Sequence, residues 1–130
     1  MKFLDKYTDH AYALLRIMSG LMFVQHGTQK FFDFPKEGPG ELAPMMLGAA
    51  TIEVIGGVLI AIGLFTRPAA FIASGMSAVG YWMFHAPGGF YPINNGGELI
   101  ALYCFAFLFI ATKGAGIWSV DAAMAKPDAE

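Results

Sequence analysis

The chain has 130 residues, with ten acidic side chains against eight Lys and Arg and a formal net charge of −2. Only 14% of its residues are charged and 56% are hydrophobic, whereas about 25% of the residues of a soluble domain are charged. The length predicts one domain over residues 1–130. The composition predicts an integral membrane protein rather than a disordered chain, a nucleic-acid binder or an ordinary soluble enzyme. The single cysteine, Cys104, excludes an intramolecular disulfide and a CxxC redox pair within these residues.

Four apolar stretches follow one another along the chain, at approximately residues 11–32, 43–65, 69–86 and 97–112. Each is close to the ~20 residues with which a helix crosses a bilayer. Prolines and glycines separate them. The segment Thr66-Arg67-Pro68 is predicted to be the turn between the second and third helices, and Gly114 and Gly116 are predicted to end the fourth. The pattern predicts an all-α fold, an integral membrane four-helix bundle.

The basic residues predict the orientation of this bundle. On one side of it lie only Lys30 and Lys36. On the other side lie five basic residues, which are Lys2, Lys6, Arg67, Lys113 and Lys126. Because cytoplasmic loops carry an excess of Lys and Arg, both termini and the turn at Arg67 are expected in the cytoplasm.

Ionisable residues interrupt the apolar stretches at six positions, which are Arg16, His26, Lys30, Glu53, His85 and Glu98. Such residues are costly inside a spanning helix and usually face the interior of the bundle, where they pair or function. At about 100° per residue, the three on the first helix share one face. A similar arc of the third helix holds Ser74, Ser77, Tyr81 and His85. Two helices are therefore each predicted to carry a polar stripe.

The depth of Glu53 predicts its partner. A rise of about 1.5 Å per residue places Glu53 near the middle of the membrane, at a height between Arg16 and His26. An unpaired charge at that depth is costly. We therefore expect Arg16 and Glu53 to form a buried ion pair.

The space above Glu53 is predicted to be an outward-facing pocket and the functional site, with Lys30 and Glu98 paired at its mouth. The candidate catalytic residues are His26, Glu53 and His85, because a buried carboxylate and two imidazoles at graded depth are suited to carry protons. The candidate substrate-binding residues are Arg16, Lys30, Tyr81, Asn95 and Glu98. No metal site is expected, because the Glu-x-x-His spacing of di-iron bundles is absent.

Each of these residues also has a structural interpretation. An ion pair between Arg16 and Glu53 can serve only to fix helix register, and His26 can donate to a carbonyl and do nothing else. Lys30 and Glu98 lie near the interface, where long side chains snorkel to the headgroups. The functional interpretation depends on the set of residues rather than on any member.

The motifs stand in a fixed order over most of the chain. They are Arg16, His26-Gly27 with Lys30 and Phe31-Phe32, Glu53 with Gly56-Gly57, Ile62-Gly63-Leu64-Phe65-Thr66-Arg67, His85, Asn95-Gly96-Gly97-Glu98, Gly114-Ala115-Gly116 and Ser119-Val120-Asp121. From about Leu14 to Asp121, this ordered set resembles the DoxX family of small bacterial membrane proteins.

The resemblance implies a multi-pass protein of the bacterial plasma (inner) membrane, related to the membrane subunit of thiosulfate:quinone oxidoreductase. It implies a quinone-linked oxidoreductase or a membrane subunit of a redox complex, with a quinone as the bound molecule. The expected partners are the lipid bilayer, redox subunits or a homo-oligomer, and no nucleic acid. Two alternatives stay open: a module that binds a small anion or lipid headgroup or carries it with protons, and a non-catalytic assembly subunit.

Overall fold

The computed structural model describes residues 1–125, which are helical with no strand among them. The α-helices are α1 (Lys2–Asp5), α2 (Thr8–Phe32), α3 (Pro44–Ile62), α4 (Thr66–Gly80), α5 (Pro92–Asn95), α6 (Glu98–Lys113) and α7 (Val120–Met124). A π-helical turn at Tyr81–His85 and a 3₁₀ turn at Ala86–Gly88 continue α4. Lys126, one of the residues behind the predicted orientation, lies outside the described residues.

Proline and glycine set the ends of the long helices. Pro44 begins α3, where its missing N–H costs nothing because the first turn has no intrahelical acceptor. Gly63 ends α3 in the left-handed conformation at φ 72°, which glycine adopts without a Cβ clash. The turn predicted at Thr66-Arg67-Pro68 is wrong by a few residues. The turn is residues 63–65, and Thr66 already begins α4, with Pro68 inside its first turn.

Two glycines bring α2 and α3 into backbone contact. A Cβ on Gly20 would lie 2.6 Å from Ala61 N and 2.7 Å from Gly57 O, and a Cβ on Gly27 would lie 2.8 Å from Ala50 O. The two helices therefore pack in a register that puts Gly20 against Gly57 and Gly27 against Ala50. Small residues of both helices therefore form the contact between α2 and α3.

The second close pair of helices is α4 and α6. The hydroxyl of Ser74 donates to the carbonyl of Cys104 at 2.7 Å. The core between the pairs is made of aromatic and small side chains, which include Phe23, Phe107, Ile60, Ala70 and Ala73. The outer surface is also apolar, and Phe71, Leu102 and Phe105 are each about two-thirds exposed. A surface of this kind marks contact with lipid or with another protein.

By length and composition, α3 is the one helix of residues 1–125 that is long and apolar enough to cross a membrane. The α2 helix has 25 residues but contains Asp9, Arg16 and Lys30. As α-helices, α4 and α6 have only 15 and 16 residues. Within residues 1–125, the four long helices α2, α3, α4 and α6 lie where the sequence predicts helices.

Candidate functional site

A cavity of about 310 Å³ lies at the end of the molecule where α2 ends and α3 begins. Its walls come from α2, α3, α4 with the π-helical turn, and α6. The lining residues are Phe23, His26, Lys30, Met46, Ala49, Glu53, Met76, Ser77, Gly80, Phe84, His85, Gly96, Leu99, Ile100 and Tyr103. All three candidate catalytic residues and one candidate substrate-binding residue, Lys30, thus border the same space.

Lys30 and Glu53 form a two-pronged ion pair in the wall of this cavity. The Lys30 ammonium donates to Glu53 Oε2 at 2.7 Å and to Oε1 at 2.8 Å. The two side chains are only 14% and 9% exposed. Lys30 therefore reaches down α2 into the protein instead of snorkelling outward, and its charge is neutralised inside the cavity.

His26 lies one turn before Lys30 on the same face of α2. Its ring meets the face of Tyr103 edge-on, with ring centroids 5.9 Å apart. Tyr103 is 6% exposed, and its hydroxyl is the one buried side-chain polar atom of residues 1–125 that has no hydrogen-bond partner. The sequence analysis missed this residue, because an aromatic residue in the apolar stretch at Tyr103-Cys104-Phe105 reads as core. The available signal was a phenol where the neighbouring aromatic positions carry phenylalanine.

The π-helical turn and the loop after it border one end of the cavity. His85 Nδ1 lies 3.1 Å from the carbonyl oxygen of Asn95. The Asn95 amide donates to Tyr81 Oη at 3.1 Å and to the Gly89 carbonyl at 3.0 Å, and its Oδ1 accepts from Gly97 N–H. Tyr81 and Asn95 are thus not lining residues of the cavity. Their hydrogen bonds hold the loop that follows the π-helical turn. π-Helical turns of this kind occur often at functional sites.

Glu98 does not reach the cavity. It lies exposed at the first turn of α6, and Lys30, its predicted partner, is bound to Glu53. The ion pair predicted between Lys30 and Glu98 is therefore wrong, because the carboxylate of Glu53 lies within reach of the same ammonium at lower exposure.

The ion pair predicted between Arg16 and Glu53 is also wrong. The helix register set by Gly20 and Gly57 places Arg16 beside Ile60, about 10 Å along α3 from Glu53 at 1.5 Å per residue. Arg16 is fully buried and lies at the opposite end of the molecule from the cavity. It contributes nothing to the lining.

Backbone carbonyls surround the Arg16 guanidinium. Nε donates to Ile60 O at 3.1 Å, and Nη2 donates to Trp118 O at 2.6 Å. Nη1 donates to Ile117 O at 3.0 Å and also to Ala115 O. Arg16 thus ties the segment after α6 to the end of α3, a role that the sequence analysis missed.

Asp121 makes a second set of hydrogen bonds at the same end of the molecule as Arg16. Its carboxylate accepts from Phe65 N–H and Thr66 N–H at 3.0 Å and from the Thr66 hydroxyl at 2.8 Å, so it caps the N-terminus of α4. Burial works to raise the pKa of the Asp121 carboxyl, but these hydrogen bonds outweigh it and hold that pKa below its ordinary value. The Ser119-Val120-Asp121 motif therefore has a structural role, in which Asp121 holds the start of α4 against the segment after α6.

Within residues 1–125, no group of three or more His, Cys, Asp and Glu residues is placed to hold a metal ion. A second, smaller groove of about 180 Å³ lies between α3 and α4. Its lining is almost wholly apolar and includes Ile55, Leu59 and Ile72. The larger cavity is therefore the candidate site.

The DoxX family model matches residues 11–86, which is more than half of the chain. The chain belongs to the DoxX family. An uncharacterized protein of Haemophilus influenzae is 44% identical over 128 residues, covering 93% of this chain and 96% of that protein. An uncharacterized membrane protein of Mycobacterium tuberculosis is 26% identical, covering 86% of this chain and 80% of its own length. No solved structure matches the chain. The matched region contains Lys30, Glu53 and both cavity histidines, so the site lies largely within the family domain.

Proposed function

We propose that this DoxX protein binds a quinone in the cavity beside Lys30 and Glu53 and acts as a quinone-linked oxidoreductase or the membrane subunit of one. In this proposal it is a multi-pass protein of the bacterial inner membrane, with α2, α3, α4 and α6 spanning the bilayer as a bundle. Both termini are cytoplasmic, so the cavity opens in the outer half of the membrane.

The observation that carries the proposal is the neutralised ion pair in a cavity whose lining is otherwise mostly apolar and aromatic, with His26, Ser77 and His85 as its other polar side chains besides Tyr103. Lys30 is bound by both oxygens of Glu53, and Arg16 is bound by carbonyls at the other end of the molecule. Neither cation is free to bind an anion, which disfavours the anion-binding alternative. A neutral, flat ligand with a few polar atoms suits this lining, and a volume of ~300 Å³ is at the lower end of small-molecule pockets.

The same residues suit the proton chemistry of a quinone. Reduction of a quinone to a quinol takes two electrons and two protons. Glu53, His26 and His85 border the cavity and are groups that exchange protons. We assign the electrons to a redox partner subunit, because the sequence carries no flavin fingerprint and no redox cysteine pair.

The lengths of the helices support the multi-pass arrangement. The α2 helix has 25 residues and α3 has 19. The α4 helix and the π-helical turn run without a break over residues 66–85, long enough at about 1.5 Å per residue to approach the ~30 Å thickness of the hydrocarbon core. Lys30 and Glu53 are then paired inside the bundle, as intramembrane charges usually are.

The test is the binding of decylubiquinone to the purified protein, compared with a variant whose cavity is filled. Ala49 lines the cavity, whereas Gly48, its neighbour on α3, faces open space. Ala49→Phe should weaken binding at least about tenfold, since the new ring occupies the ligand's volume. Gly48→Phe adds the same ring outside the cavity and should leave the affinity unchanged.

Both variants must first show the wild-type melting temperature and membrane yield. Equal binding by wild type and Ala49→Phe would place the ligand elsewhere and refute the proposal. Three further substitutions, His26→Ala, Glu53→Gln and His85→Ala, then test the proton-carrying groups. If none of them changes quinone reduction in the presence of the partner subunit, the non-catalytic assembly role is favoured.

A further inference from the structure

His85 lines the cavity, and one edge of its imidazole is bonded to the loop after the π-helical turn. Nδ1 lies 3.1 Å from the carbonyl oxygen of Asn95. A carbonyl oxygen only accepts hydrogen bonds, so Nδ1 carries the proton of this contact. In the neutral imidazole the other ring nitrogen, Nε2, then has no proton and is an acceptor.

The side chain of Asn95 fixes the position of the carbonyl that His85 meets. Its amide nitrogen donates to Tyr81 Oη at 3.1 Å and to the Gly89 carbonyl at 3.0 Å, and its Oδ1 accepts from Gly97 N–H at 2.8 Å. Because both ends of the amide are bound, the Asn95 backbone is held against the imidazole. The loop therefore sets the tautomer of His85.

The Nε2 atom of His85 is open to a bound molecule. His85 is only half-buried, and the enclosed side-chain polar atoms without a partner in residues 1–125 do not include its Nε2. Because the imidazole borders the cavity, an occupant of the cavity can reach this nitrogen.

The other polar groups of the lining lack such a fixed, free acceptor. The Ser77 hydroxyl donates to the Ala73 carbonyl at 2.8 Å, and both oxygens of Glu53 are bound by Lys30. Within residues 1–125, the His26 imidazole contacts the ring of Tyr103 rather than a hydrogen-bonding group, so its tautomer is not fixed. His85 is thus the lining residue whose hydrogen-bonding preference the fold determines.

We infer that His85 Nε2 accepts a hydrogen bond from a ring hydroxyl of the ligand, so that the cavity binds a hydroquinone more tightly than the corresponding quinone. This inference rests on the quinone-binding function proposed above and adds the redox form that the site recognises. A quinone carbonyl has no proton to donate to Nε2, whereas a hydroquinone hydroxyl has one. A site built around a hydrogen bond rejects the analogue that cannot make it. His85 is then the residue that determines specificity, and Asn95 is its positioning residue.

The experiment measures the binding of menadiol and menadione, without oxygen, to the wild-type protein and to two variants of His85. The amide nitrogen of an asparagine can replace Nδ1, so His85→Asn can keep the bond to the Asn95 carbonyl while it removes the Nε2 acceptor. The longer glutamine reaches the position of Nε2, so His85→Gln keeps an acceptor there and loses the loop bond. We expect the wild type to bind menadiol about tenfold more tightly than menadione, the size of one hydrogen bond. His85→Asn should lose this preference, and His85→Gln should keep most of it.

Equal affinities of the wild type for the two ligands overturn the inference and leave the quinone function standing. A preference that His85→Asn keeps, or that His85→Gln loses, also overturns it, because the loop bond rather than the acceptor would then matter. If the wild type binds neither ligand, the quinone function itself fails.

The tautomer is tested without ligand by ¹⁵N NMR of the histidine side chains, with the His85 signals assigned by their absence in His85→Gln. We expect the proton on Nδ1 in the wild type, and we expect Asn95→Ala to shift it toward Nε2. A wild-type protein with the proton on Nε2 overturns the inference even if both ligands bind. This measurement decides the matter also where a His85 variant fails to fold.

Discussion

Arg16 and Lys30 are both buried cations of α2, and each is stabilised in a different way. Lys30 is neutralised by a carboxylate with which it shares two short contacts. Arg16 is met by the carbonyls of four residues, whose fixed positions match the forked donors of a guanidinium. The first arrangement leaves a neutral pair beside a cavity, and the second ties the chain after α6 to the end of α3.

The first prediction concerns Arg16. Arg16→Ala should lower the free energy of unfolding by about 3 kcal/mol or more, since it leaves a cavity and several carbonyls without donors. Arg16→Lys should be intermediate, because one ammonium cannot meet all four carbonyls. Thermal melts of the purified protein check both. Recovery of stability in the charge-swapped double variant Arg16→Glu with Glu53→Arg would contradict the partners described here, since the two residues do not touch.

The second prediction concerns Asp121 and pH. Its pKa is held below the ordinary value by hydrogen bonds from Thr66 and Phe65 that outweigh burial. Its contribution to stability is therefore fully present above about pH 4, the ordinary pKa of aspartate, and is lost as the pH falls through the lower folded-state pKa. Asp121→Asn should reduce stability at pH 7 and flatten this acid-side loss. A steeper acid loss in Asp121→Asn than in wild type would contradict the capping role.

At the scale of the element, the contact between α2 and α3 depends on glycine. Gly20→Ala should lower the free energy of unfolding by about 1–3 kcal/mol, because the added Cβ meets backbone atoms of Ala61 and Gly57 that cannot move aside. Gly48→Ala is the control, since nothing lies within 4 Å of its Cβ position and alanine is the better helix former. Equal melting temperatures for the two variants would show that this contact is not tight.

The helices were predictable from the sequence and their register was not. Apolar length and the glycines after α3 and α6 mark α2, α3, α4 and α6 to within a few residues. The neighbours of Arg16, by contrast, depend on which backbone atoms Gly20 meets across the interface, and helical periodicity carries no information about that. The sequence analysis placed His26, Lys30, Glu53 and His85 in one pocket, because their predicted depths run from the middle of the bundle toward the same end, and all four line the cavity. The unpaired hydroxyl of Tyr103 was hidden, because hydrogen-bond satisfaction is a property of the assembled core.

At the scale of the whole molecule, the two ends are built for different tasks. At the end of the molecule that contains α7, the side chains of Arg16, Arg67 and Asp121 form hydrogen bonds with backbone groups. Arg67 donates to carbonyls of the last turn of α6, where a cation also complements the helix dipole. The opposite end contains the cavity and the loop that the hydrogen bonds of Asn95 hold in place. Hydrogen bonds to the backbone at one end and a cavity at the other end of the same helices agree with the proposal that the protein presents a site to one side of a membrane.

The orientation of the two ends is the fourth prediction. In a Cys104→Ser background, a cysteine at Asn94 should react with a membrane-impermeant maleimide in intact cells, because the loop is predicted to lie outside. A cysteine at Ala122, exposed on α7, should react only after permeabilisation. Arg67 is avoided as a labelling site because it holds the end of α6. Labelling of the Ala122 position in intact cells would reverse the topology.

The most direct test of the quinone site is photo-cross-linking with a short-chain azidoquinone, followed by mapping of the labelled peptides by mass spectrometry. We expect the label on residues 76–85 and 99–103, which border the cavity on two sides, and we expect Ala49→Phe to abolish it. Label confined to the apolar groove at Ile55, Leu59 and Ile72, unaffected by Ala49→Phe, would mean that the quinone only partitions along the lipid-facing surface. That result would contradict the assignment of the cavity beside Lys30 and Glu53 as the functional site.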